Sequence, residues 1–92
     1  MEKSKIKVAA ASSVPCVAGS IAHQLREHGS VVVQAIGAAA VNQSVKALIV
    51  ARGYLEVEGS TLTFKPSFAS LEIDGQDMTA IVFDAQATGG NQ

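Results

Sequence analysis

The residues best equipped for binding chemistry lie between Gln34 and Tyr54, in the stretch QAIGAAAVNQSVKALIVARGY. A β-branched run ends at Gly37, three alanines follow, and the spacing then predicts a helix with Asn42, Gln43 and Lys46 on its first turns. Gly37 permits a positive φ or a close approach, while Ala38, Ala39 and Ala40 leave the first helical N–H groups unobstructed. Such a helix N-terminus is an anion site, and phosphate is its natural guest. The same small residues also serve tight strand-to-helix packing. Neither a GxGxxG nor a P-loop spacing is present, so the stretch offers binding geometry without catalytic equipment.

The other reactive side chains are isolated. Cys16 falls in the first turn of an earlier helix, where the dipole favours a thiolate, but a small buried packing residue is the plainer expectation. His23 and His28 are five residues apart, a spacing that does not bring both onto one helical face, and no Cys or carboxylate completes a metal set. They are expected to face solvent. Asp74 and Asp77 flank a predicted turn, and turn chemistry with a solvated acidic tip explains them without calcium. Arg52 and Tyr54 could stack on a base, although anchoring the chain beneath the helix is the simpler role.

The elements that must carry these residues follow from periodicity. Lys5 to Ala10 alternates, placing Ile6, Val8 and Ala10 on one face and Lys5 and Lys7 on the other, as in a half-buried strand with a basic outer face. Ser12 or Ser13 then offers an N-cap, Pro15 suits the first turn, and apolar residues recur at helical spacing until Gly29. Val31 to Ile36 is apolar apart from Gln34, as expected of a central strand covered on both sides. The next helix should run from about Ala39 to Arg52, bury Val41, Val45, Leu48 and Ile49, and stop at Gly53. Ala47, Val50 and Ala51 widen its apolar arc beyond what one sheet needs, which suggests a partner surface. Period two returns from Thr61, with a bulge or kink expected near Pro66. Asp74-Gly75 marks a hairpin turn, and the last strand should span Gln76 to Ala85 with apolar residues on both faces. The domain is expected over residues 1–87, with 88–92 as a polar, glycine-rich, disordered tail.

A strand, a helix and a second strand should give a parallel pair with a right-handed crossover. Both strands then end on one edge of the sheet, where the loop of Ser12 and Ser13 meets the Gly37 loop. Two backbone donor clusters converge there.

Ninety-two residues make one domain with a thin core, since at this length folding buries only about 60–65% of the accessible surface. The interior must come from Val, Ile, Leu and Ala, with Phe64, Phe68 and Phe83 as the large pieces. No apolar run approaches the ~18 residues of a membrane span, and no signal-peptide pattern opens the chain. With a single cysteine, this points to a cytoplasmic protein. Formal net charge is −1, but residues 1–53 hold six basic and two acidic side chains whereas 54–92 hold one basic and six acidic. Any phosphate-binding surface must therefore come from the first half.

Several motifs occur together: Gln34 to Gly37, Asn42-Gln43, Val45 to Ala47, Ala51 to Gly53, the Lys5 to Val8 opening strand, Val17-Ala18-Gly19, and Ile73-Asp74-Gly75 followed by Thr79-Ala80-Ile81. In this combination the chain resembles the stage V sporulation protein S family over roughly Lys5 to Ala85. That family is in turn similar to Alba, a chromatin and RNA-binding fold. The resemblance implies an α+β, Alba-like βαβαββ two-layer sandwich, a four-stranded mixed sheet with two helices, and a role in spore formation. It also implies a nucleic-acid contact at the loop edge and the end of the final hairpin. Alba-like binders place lysines in the first loop and arginines around the second glycine, where this chain has Ser12, Ser13 and Ala38. Lys46 aligns with the helix lysine. The hairpin tip, with Glu72, Asp74 and Asp77, would repel phosphate.

The expectation is thus a non-enzymatic regulatory module, without cofactor or metal, that contacts DNA or RNA through Ser12, Ser13, Gly37, Asn42, Gln43 and Lys46, extended by Lys5 and Lys7. It should form a homodimer or larger assembly through Ala47, Val50, Ile81 and Phe83. The alternative is a scaffold that self-assembles and binds protein partners instead of nucleic acid. An enzyme acting on a small phosphorylated ligand lacks an acid, base or nucleophile at the candidate edge.

Overall fold

The computed structural model describes residues 4–89. In chain order the elements are β1 (Lys5–Val8), α1 (Val14–His28), β2 (Ser30–Ala35), α2 (Ala38–Val57), β3 (Ser60–Ile73) and β4 (Gln76–Gly89). The strands form one mixed sheet in the order β1-β2-β4-β3, with β1 and β2 parallel and the other pairs antiparallel. This is the βαβαββ two-layer arrangement.

α1 is delimited by its own chemistry. The Ser13 hydroxyl accepts from the Cys16 N–H at 3.4 Å, proline occupies the first turn, and Gly29, left-handed at φ 77°, donates its N–H to the Leu25 carbonyl. Ala18, Ile21, Ala22 and Leu25 are its buried face. They meet Val31, Val33 and Ala35 of β2 and Val8 of β1, so the core lies between the helices and one side of the sheet. The expected cover on both faces of β2 is not found in that form. Val32 stays partly exposed on the side away from the helices, whereas Gln34 is buried there.

α2 departs from expectation in length and rotation. It runs through Gly53 to Val57, because carrying on one more turn buries Leu55 in the core. Burying a leucine is worth about 1.5–3 kcal/mol, more than the roughly 1 kcal/mol that a mid-helix glycine costs. Its inner face is Ala40, Ser44, Ala47, Leu48, Ala51 and Leu55, not the valine stripe. Small residues let the helix axis approach α1 and the sheet, which leaves Val41 and Val45 half-buried and Ile49 60% exposed. Ser44 is fully buried and satisfied, its hydroxyl donating to the Ala40 carbonyl at 2.9 Å.

The predicted bulge at Pro66 does not occur. β3 and β4 pair without interruption from Ser60↔Gly89 to Ile73↔Gln76, with Pro66 opposite Phe83. A two-residue turn over Asp74 (φ 51°) and Gly75 (φ 78°) closes on a hydrogen-bonded pair, and bonded pairs then recur at every second residue. Pro66 has the other parity, so its nitrogen faces the free edge and no ladder bond is lost. Thr88 and Gly89, expected in a disordered tail, are the end of β4, opposite Thr61 and Ser60. The rest of that predicted tail lies outside the described residues. Because β2 pairs only with Ala35↔Ile81 through Ser30↔Gln86, the distal part of the β3–β4 hairpin extends as an arm.

Candidate nucleic-acid interface

The parallel pairing of β1 with β2 brings both strand ends to one edge, as expected. The side chains there divide into structural and free ones. Ser12 closes its own loop: its hydroxyl accepts from the Ala9 N–H at 2.9 Å, and its N–H donates to the Ala9 carbonyl at 3.0 Å. Ser13 is the α1 cap. Gln43 donates from Nε2 to the Ser12 carbonyl at 2.8 Å, which fastens the first loop to the first turns of α2. These three residues therefore build the edge.

What remains open is the start of α2. Gly37 takes φ 92°, ψ 155° as its N-cap and supplies no side-chain hydrogen bond. Ala38 and Ala39 are exposed, as are Asn42 and Lys46 one turn apart on the outer side of the helix. The first N–H groups of α2, the Asn42 amide and the Lys46 ammonium thus share one surface. Lys5 and Lys7 do not join it. They project from the opposite face of the sheet, since Ile6 and Val8 pack against the core. The predicted eight-residue site is therefore two surfaces, separated by the thickness of the sheet.

Beside the open start of α2 runs an apolar groove between α2 and the arm, about 590 Å³ in volume, with Val41, Val45, Phe68 and Ile81 in its walls. Phe68 is 79% exposed. Of the four residues expected at a subunit interface, Ala47 and Phe83 are core residues and correct that expectation, Phe83 stacking edge-on against Phe64 at 5.3 Å. Val50 and Ile81 pack partly against the core, and Ile81 also reaches the groove. Phe64 and Phe68, expected with Phe83 as large pieces of the interior, are exposed instead, because both sit on the edge strand β3 where the helical layer does not cover them. Cys16 is exposed, contrary to the buried role expected of it, because it falls on the outer side of the first turn of α1. Arg52 pairs with Glu56 one turn on, at 3.1 Å, and Tyr54 is exposed. Among the described residues, no group of three or more His, Cys, Asp or Glu side chains could hold a metal ion, and no helix is long and apolar enough to cross a membrane.

The family pattern of stage V sporulation protein S (SpoVS) matches residues 4–88. The chain belongs to that family. The match reaches all four described strands and both helices of the βαβαββ domain and stops one residue short of the end of β4. Among solved structures the chain is similar to Alba from Thermoplasma volcanium, with a TM-score of 0.59 at 9% identity over 91% of this chain and 98% of that one. At such low identity the likeness is one of fold. Membership of the SpoVS family makes this a sporulation-related protein.

Proposed function

We propose that this SpoVS-family chain is a non-enzymatic, cytoplasmic regulatory protein that works by binding DNA or RNA at the open start of α2. The observation that carries the reading is the uncapped Gly37 turn, flanked by exposed Asn42 and Lys46 and held rigid by the Gln43 bond to the Ser12 carbonyl. Backbone N–H groups and a lysine make phosphate contacts, which position a strand without reading its sequence. Ser12, Ser13 and Gln43 support that surface from beneath. The acidic arm tip, where Glu72 stands opposite Asp77, limits how far a phosphate backbone can extend along the hairpin. Contact is selective and short for that reason. We further propose that the protein acts as a homodimer or larger assembly.

A salt series tests this with labelled single- and double-stranded DNA and RNA. Binding should be saturable and weaken steeply with salt, and Lys46→Ala should lower the salt slope by about one phosphate contact. A second reading, a scaffold that assembles through apolar surface and binds no nucleic acid, is favoured by the exposed Phe68 and Ile49. Absence of binding to all four ligands at low salt would leave that reading in place of the first.

A further inference from the structure

On the sheet face away from the helices, a second concavity of about 530 Å³ lies between the end of β1 and the arm. Its distinguishing residue is Gln34. Two polar residues have little exposure, on opposite sides of the sheet: Ser44, on the helix side, is satisfied by the Ala40 carbonyl, while Gln34, on the far face, has an amide with no hydrogen-bond partner among the described residues. Gln34 is 7% exposed and lines the concavity. The Gln34 amide atoms are not sealed from solvent but open on the cleft, where a donor beside an acceptor can meet an incoming group.

The surroundings say which group. The parallel register sets Lys7 beside Gln34, and Lys5 beside Val32, with both lysines lining the cleft. Ile36, Leu71 and Ile73 form apolar wall, and Glu72 stands on the arm side. An anion at the lysines, a flat apolar body against the aliphatic wall and an edge offering one donor beside one acceptor describe a nucleotide. A carboxamide pairs bidentately with the N6 amino group and N7 of adenine. Glu72 confines the phosphate to the β1 side and leaves an acceptor for a sugar hydroxyl.

We propose that this cleft holds one unpaired adenine nucleotide, its base edge on Gln34 and its phosphate on Lys5 and Lys7. The proposal deepens the nucleic-acid reading above by adding a single-strand subsite on the opposite face. The nucleotide can come from a strand or from the free pool.

The full-length protein, labelled with ¹⁵N, is titrated with adenosine monophosphate and with ten-residue oligo(dA). Anisotropy is then compared for oligo(dA), oligo(dT) and a duplex, using wild type, Gln34→Leu and Lys46→Ala. The Gln34 side-chain amide resonances should shift on saturation, and oligo(dA) should bind about tenfold tighter than oligo(dT). Gln34→Leu should erase that preference and leave duplex binding unchanged. A shift with the monophosphate assigns the site to free nucleotide, whereas a shift with oligo(dA) alone assigns it to a strand. If neither ligand moves the Gln34 amide while Lys46→Ala still weakens duplex binding, the cleft proposal is overturned and the α2 surface stands. If the monophosphate shifts Gln34 but no nucleic acid binds, the cleft stands and the α2 surface falls. The wild-type resonances separate these outcomes even if Gln34→Leu does not fold.

Discussion

Arg26 and Glu58 tie the last turn of α1 to the cap of α2, with the Arg26 Nε donating to the two carboxylate oxygens at 3.1 and 2.8 Å. That hydrogen bond is the main cause holding the Glu58 carboxyl below the usual carboxylate range; desolvation works against it, and the guanidinium charge adds to it. Because the folded value lies below the unfolded one, the contribution to stability is present above the ordinary value of 4.5 and fades as pH falls through the lower folded value. Urea midpoints measured from neutral to acid pH should therefore separate wild type from Glu58→Gln at neutral pH and converge in acid. Both partners are solvent-exposed, so the gap will be small and sensitive to salt. The residue scale is also where the sequence was hardest to read. Ser12, Ser13 and Gln43 carry the polar groups that a phosphate would want, yet each is committed to the fold, and no spacing rule reveals a glutamine reaching a carbonyl 31 positions away. Gln34 was legible as the one polar interruption of a β-branched run, but its unmet amide appears only once the neighbouring strands and the arm are in place.

At the scale of elements, periodicity located all four strands and both helices, and it erred where tertiary burial overrode a local signal. Gly53 is a stop signal in sequence and a mid-helix residue in the fold, because Leu55 beyond it enters the core. Pro66 reads as a break, yet an edge strand tolerates it at a position whose nitrogen faces outward. The glycine inside α2 and the one that caps it consequently predict opposite outcomes. A Cβ at Gly53 meets nothing within 4 Å in an ordinary helical conformation, so Gly53→Ala should stabilise the protein by about 0.4–1 kcal/mol. Gly37 also has open space around it, but its φ of 92° is one that L-residues rarely adopt. Gly37→Ala should cost about 1–3 kcal/mol, or tilt the α2 N-terminus away from its anion-binding aspect. Denaturant midpoints for the two variants give the sign of each, and a stabilising Gly37→Ala would show that the turn is not conformationally demanding.

The whole molecule measures 46 × 28 × 16 Å, long because the β3–β4 arm projects beyond the helical layer. A projecting two-stranded arm has too few partners of its own: Phe68 stays 79% exposed on the side facing α2, and Ile49 and Phe64 extend the apolar surface along the helix and β3. Composition announced this surplus, with 48% apolar residues in a chain too short to bury them; of the residues the sequence reading gave to an interface, Ala47 and Phe83 are consumed by the core, while Ile81 does line the groove. A second copy related by a two-fold axis would place the same groove on both partners, and the Phe68 of one could fill the groove of the other. Covering a phenylalanine contributes about 1.5–3 kcal/mol, so Phe68→Glu should weaken self-association by about 10–100-fold or more. Val57, 89% exposed at the far end of α2, supplies the control: Val57→Glu carries the same charge change outside the groove and should leave the assembly intact. Light-scattering mass across a dilution series separates the cases. A wild-type protein that is monomeric at every concentration would remove the dimer from the proposed function, and equal effects of the two substitutions would trace association to net charge instead of the groove.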